Sequence, residues 1–168
     1  MKNFKNDFVK LVKKYKNNIA IIDIDKKKTV TYKQILIKIN QIGKIFSNYN
    51  LKNRNEILSI LPNGHENMEY FLSSCYWGFT YFPHSNDITE FECKKLLKET
   101  NIKLILISNL INPKIKKLIY NSGINYININ EIDIRKNKYK YKNQSAINSN
   151  SSLLIVNSSG TTGDPKKI

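Results

Sequence analysis

At 168 residues the chain is long enough for one domain that buries roughly 70% of the surface its unfolded form exposes, and 40% hydrophobic and 11% aromatic residues argue against a wholly disordered chain. The 28 Lys and Arg against 13 Asp and Glu leave a net charge of +15. Those cations are almost all lysine, spread through a sequence also rich in Asn, Ile and Tyr, and arginine is limited to Arg54 and Arg135; no nucleic-acid partner is expected.

No run approaches the roughly 18 apolar residues of a membrane span, and the start, MKNFKNDFVK, lacks an uninterrupted apolar stretch. The expectation is a cytoplasmic protein with no membrane partner. Cys75 and Cys93 have no second pair and no His-rich neighbourhood, so they read as buried small residues rather than as a zinc site or disulfide.

From Phe4 to Tyr15, apolar Phe4, Phe8, Leu11, Val12 and Tyr15 recur at helical spacing with lysines between them, which predicts an amphipathic helix packed on the body. Ile19 to Ile24, the turn Asp25-Lys26-Lys27-Lys28, and Thr29 to Thr31 read as a hairpin. Thr31 with Gln34 makes a capping box for a helix whose stripe is Ile35, Leu36, Ile39, Ile42, Gly43 and Phe46. Glu56 to Leu61 is an apolar strand closed by Pro62-Asn63-Gly64. A helix from about Glu66 to Tyr76 should present Met68, Phe71, Leu72 and Cys75 on one side. Gly78 ends it, and Phe79 to Phe82 is the next strand, before Pro83. His65 and His84 have no Ser or Cys nucleophile paired with them and read as surface or packing residues.

Thr89 and Glu92 predict a second capping box, with Phe91, Leu96 and Leu97 as the buried side of that helix. Lys103 to Ile107 reads as a strand apolar on both faces, as in the middle of a parallel sheet. Asn112-Pro113 opens a helix that Gly123 stops, and Ile124 to Ile129 is another strand. Strands alternating with helices define an α/β fold: a mostly parallel sheet with helices on both faces.

Four stretches follow: an amphipathic helix over 1–17, alternating strands and helices over 19–129, a polar loop over 130–152, and a strand with a glycine-rich loop over 153–168. Leu153 to Val156 runs into Ser158-Ser159-Gly160-Thr161-Thr162-Gly163-Asp164-Pro165-Lys166. Glycines allow close backbone approach and free N–H groups converge on an anion, while hydroxyls and Lys166 add donors and charge. The order is not that of a Walker loop, because Pro165 stands five residues after Gly160 where that pattern needs Gly-Lys-Ser/Thr.

From Ser158 through Lys166 the order resembles the phosphate-loop signature of the adenylate-forming superfamily, which includes acyl-CoA synthetases, peptide-synthetase adenylation domains and luciferases. The block LPNGHENMEYFLSSCYWGFTYFP resembles the family more loosely, with Asn63, Gly78 and Pro83 in architectural roles. Lys167 stands where the family usually has glycine. The resemblance implies that Ser158, Ser159, Gly160, Thr161, Thr162, Gly163 and Lys166 hold ATP phosphates, with Mg2+ as the accompanying ion. It implies a small-molecule carboxylate substrate and a thiol acceptor, coenzyme A or a carrier-protein pantetheine.

In the family, the adenine pocket, the acid pocket, the acidic magnesium ligand, the hinge and the small C-terminal domain with its catalytic lysine all come after this loop. The chain ends two residues past Lys166. Residues 1–168 are therefore expected to be the N-terminal part of such an enzyme, inactive alone, with a possible association with a chain carrying the missing region. A non-catalytic remnant that docks on another chain is the alternative, and a basic nucleic-acid binder a more distant one.

Overall fold

The computed structural model describes residues 4–98, 101–132 and 153–156. In chain order the elements are α1 (Phe4–Tyr15), β1 (Ile19–Asp23), β2 (Lys28–Thr31), α2 (Tyr32–Phe46), β3 (Glu56–Ile60), α3 (His65–Trp77), β4 (Thr80–His84), α4 (Glu90–Lys98), β5 (Ile102–Ile107), α5 (Pro113–Asn121) and β6 (Tyr126–Asn128). A 3-10 turn at Ser47–Tyr49 follows α2.

The last four strands form a parallel sheet in the order β4-β3-β5-β6. β3 is buried at every position, as a central strand covered on both faces must be. Alternation then sorts the side chains into two apolar layers. Ile57, Tyr81, Leu104, Leu106 and Ile127 meet Ile42, Ile45, Phe46 and Tyr70 from α2 and α3. Leu58, Ile60, Phe82, Ile105 and Ile107 meet Cys93 and Leu96 from α4 and Ile115 and Ile119 from α5. The fold is therefore the expected α/β arrangement with helices on both sides of the sheet. Its register slips once, between Glu56↔Ile102 and Ile57↔Leu104, leaving Lys103 as an exposed extra residue that lets Ile102 and Leu104 serve opposite faces.

Local chemistry sets the helix ends. Thr31 N–H donates to Gln34 Oε1 at 2.8 Å while Gln34 N–H donates back to Thr31 Oγ1 at 3.3 Å. The same exchange joins Thr89 and Glu92 at 2.9 and 3.2 Å. Asn112 Oδ1 accepts from Lys114 N–H at 2.9 Å, with Pro113 in the first turn of α5. Gly78 takes φ 83° after α3, and the N–H of Phe79 closes on Ser74 O at 2.9 Å, a left-handed cap that a side chain would strain.

A third apolar cluster lies outside α2 and α3, where α1 and the antiparallel β1–β2 hairpin pack Phe8, Val12 and Val30 on Ile35, Ile39 and Tyr76. Trp77 lies across α2, its indole N–H donating to Ile39 O at 3.0 Å. Only a glycine at 43 leaves room for that ring, since a Cβ there would stand 2.2 Å from Trp77 Nε1.

Two helix faces differ from expectation. Phe91 is 73% exposed, because it lies two residues, and so about 200°, from Cys93, which faces the sheet with Leu96. Met68 is also exposed, while Cys75 is buried and Phe71 and Leu72 are half-buried. α3 is covered from two directions, by the sheet and by the α1–hairpin layer. Its buried Ser73 and Ser74 donate to Glu69 O and Tyr70 O at 2.6 and 2.9 Å, which satisfies their hydroxyls inside the helix. β6 is shorter than the strand expected over Ile124 to Ile129.

Candidate functional site

The segment 153–156 returns beside β4. Tyr81 N–H donates to Leu153 O and Ile155 N–H donates to Tyr81 O, both at 2.9 Å, and Tyr81 bridges Leu154 in parallel. This alignment directs the segment toward the carboxyl edge of the sheet, where parallel α/β sheets carry their ligands. The glycine-rich stretch from Ser158 to Lys166 begins two residues later and lies outside the described residues, as do residues 133–152 of the expected polar loop.

A cleft of about 370 Å³ opens at that edge, between the first turns of α3 and the segment 153–156. Met68, Phe71, Pro83 and Leu154 supply its apolar walls, and Asn63 and Asn67 its amides. Tyr81 forms the floor: its ring packs on Phe71 with centroids 5.6 Å apart, and its hydroxyl bonds to Asn67 Oδ1. The Asn67 amide in turn donates to Leu61 O and Pro62 O at 3.5 and 3.4 Å, tying the turn after β3 to α3. Burial pushes the Tyr81 phenol above its ordinary range, so it acts as a neutral donor. Gly78 caps α3, which fits the architectural role expected of it, whereas Asn63 and Pro83, expected in the same role, line the cleft.

Behind the cleft, the first turn of α3 is joined to the hairpin by charged groups. Asp23 Oδ2 accepts from the backbone N–H of His65 at 3.0 Å and from His65 Nδ1 at 2.7 Å. Lys28 Nζ lies 2.7 Å from His65 Nε2. An ammonium has no acceptor, so Nε2 must accept and Nδ1 must carry the ring proton. The backbone N–H of His65, then its ring, then the N–H of Lys26 hold the Asp23 carboxyl well below the usual carboxylate range. Lys26 pairs with Glu66 at 2.5 Å. Glu69, one turn along and buried, has Lys38 of α2 at 3.8 Å, and burial raises its carboxyl.

His65 is thus 3% exposed and part of an interior polar joint, not the surface residue that was one of its two expected readings. His84 is half-buried at the end of β4, with Nδ1 lacking a hydrogen-bond partner. Nothing in the local sequence around Asp23, 42 residues away, announced its pairing with His65. Asp23, His65 and Glu66 form the one group of potential metal ligands among the described residues. The geometry does not suit a divalent ion, because Asp23, Glu66 and both ring nitrogens are engaged and two lysine ammoniums stand beside them.

Comparisons with known proteins agree with this architecture. The model of the AMP-binding enzyme family matches residues 8–168, and the chain belongs to that family. No curated protein sequence matches it. Among solved structures, it resembles the inhibitor-bound N-terminal domain of FACL13 from Mycobacterium tuberculosis at TM-score 0.85 and 16% identity, covering 100% of this chain and 44% of that one. A Mycobacterium tuberculosis fatty acyl CoA synthetase aligns at TM-score 0.82 and 15% identity, with 100% and 34% covered. The o-succinylbenzoate CoA synthetase of Bacillus subtilis, solved with its acyl-adenylate intermediate, aligns at 0.79 and 16%, with 97% and 41% covered. The chain spans less than half the length of each of these chains.

Proposed function

We propose that residues 1–168 are the N-terminal part of an ATP-dependent carboxylate-activating ligase. In this reading a carboxylate oxygen attacks the α-phosphorus of ATP, the bond to the bridging oxygen of the β-phosphate breaks, and an acyl-adenylate and pyrophosphate result. A thiol, of coenzyme A or a carrier-protein pantetheine, then takes the acyl group and releases AMP. Ser158, Ser159, Gly160, Thr161, Thr162, Gly163 and Lys166 are assigned to the β- and γ-phosphates, where negative charge grows as pyrophosphate departs. Donors aimed at developing charge lower the barrier more than donors that bind substrate and transition state alike.

The observation that carries the reading is the family match over residues 8–168, which includes that loop. The parallel pairing of Leu154 with Tyr81 supports it by aiming the chain at the carboxyl edge of the sheet. Mg2+ would accompany the nucleotide; the charged joint at Asp23, His65 and Glu66 does not supply its ligands. We assign the protein to the cytoplasm, with a small carboxylate and a thiol as its reactants.

A phosphate cradle without an adenine pocket or an acid pocket binds ATP weakly, since one anion site contributes little after the costs of association. Residues 1–168 alone are accordingly proposed to be inactive in adenylation. ATP–pyrophosphate exchange with a panel of carboxylic acids tests both statements. Exchange by the 168-residue chain alone would overturn the second. In a form carrying the downstream region, Lys166→Ala should slow adenylate formation by about 10²-fold or more while sparing thiol transfer. An unchanged first half-reaction would remove the phosphate role.

A further inference from the structure

The joint between the hairpin and α3 has a property that the ligase reading does not use. His65 is buried and contacts both hairpin strands at once, Asp23 on β1 through Nδ1 and Lys28 on β2 through Nε2. The two contacts respond oppositely to a proton. Protonation at Nε2 converts the acceptor facing Lys28 into a donor and sets two cations at 2.7 Å, while the contact with Asp23 becomes an ion pair. Lys28 is exposed and can withdraw to water at little cost; Asp23 cannot, because its carboxylate also holds the backbone N–H of His65.

We propose that His65 is a proton-operated latch, which fastens both strands of the hairpin to the first turn of α3 when neutral and releases Lys28 when charged. The other charged groups around it keep their places. Lys26 of the turn remains on Glu66, whose Oε2 lies 3.5 Å from His65 Nδ1, and Lys38 of α2 remains on Glu69. The change is therefore confined to the Lys28 end of β2, which loses its tether to α3 while the ladder with β1 and the packing of Val30 on α2 remain. That first turn of α3 carries Asn63 and Gly64 just before it and Asn67 and Met68 within it, so the latch backs the wall of the cleft.

The test uses the 168-residue chain and needs no activity. Side-chain NMR across pH 8 to 5 follows the His65 ring nitrogens and the Lys28 Cε and Nζ. The expected result is a ring that starts as the Nδ1–H tautomer and a Lys28 signal that shifts over the same pH interval as the ring. A Lys28 signal unmoved while the ring titrates would overturn the proposal, as would a ring that starts as the Nε2–H tautomer. A double-mutant cycle with Lys28→Met and His65→Asn, read by denaturant unfolding, adds a second readout. The coupling should favour folding by roughly tenfold at pH 8, the scale of one hydrogen bond to a charged group, and vanish or reverse at pH 5. Coupling that is equal at both pH values would sink the latch, even if both contacts stabilise the fold.

Discussion

The sheet and the hairpin joint hold this chain together by opposite means. Between the sheet and its helices the contacts are apolar: Leu58, Ile60, Phe82, Ile105 and Ile107 on one face and Ile57, Leu104 and Leu106 on the other. Such contacts are individually replaceable and collectively large, and they carry no direction. Around the hairpin, apolar packing of Val30 on Ile35 and Ile39 of α2 is supplemented at the junction with α3 by Asp23, His65, Lys28, Lys26 and Glu66, whose contacts are directional and depend on charge. Burial therefore supplies most of the stability of the sheet, whereas the joint supplies orientation. It fixes where the first turn of α3, and with it the cleft edge, stands relative to the N-terminal layer.

The largest effect should come from the sheet. Leu58→Ala, at a fully buried position on the central strand, is expected to cost about 2–5 kcal/mol in urea unfolding. A loss below about 1 kcal/mol would mean that the interior is not packed as described. Gly43→Ala comes next: the new methyl would meet the Trp77 ring, and crowding of about 1–3 kcal/mol should outweigh the roughly 1 kcal/mol of helix propensity gained. Trp77 fluorescence should shift with it, and an unchanged spectrum with higher stability would contradict the close approach.

The joint should show itself through acid rather than through size. Because the folded Asp23 carboxyl sits below its ordinary value of 3.8, its stabilisation is fully present above that value and is lost as pH falls through it toward the folded value. The stability gap between the native chain and Asp23→Asn should thus stand in full at about pH 5 and shrink below about pH 4. A gap that persists unchanged into strong acid would separate Asp23 from any role as a carboxylate. Smallest of all, Phe91→Ser should change stability by no more than about 0.5 kcal/mol, since the ring is in solvent. A larger loss would restore Phe91 to the buried face of α4.

Much of the sheet was legible because its code is local. Both capping boxes, at Thr31 with Gln34 and Thr89 with Glu92, form as their spacing predicts, and the run ending at Ile107 is buried on both faces. Phe91 and Met68 were misplaced for a related reason. Apolar identity marks a residue as able to be buried, but a helix has only as many buried positions as it has neighbours, and the neighbours are set by the rest of the fold. Lys103 shows the converse, an exposed residue within a strand whose other positions are all buried.

The amino-acid order alone determined the alternation of strands and helices, the two capping boxes and the hairpin. Each depends on residues close together in the chain, where periodicity, capping and turn propensity act. Only the tertiary structure decided the strand order β4-β3-β5-β6, the seat of segment 153–156 beside β4, and the meeting of Asp23 with His65. A single aspartate and a single histidine leave no periodic trace. Their pairing arises because burial on α3 strips water from both, and each is then the nearest group able to replace it.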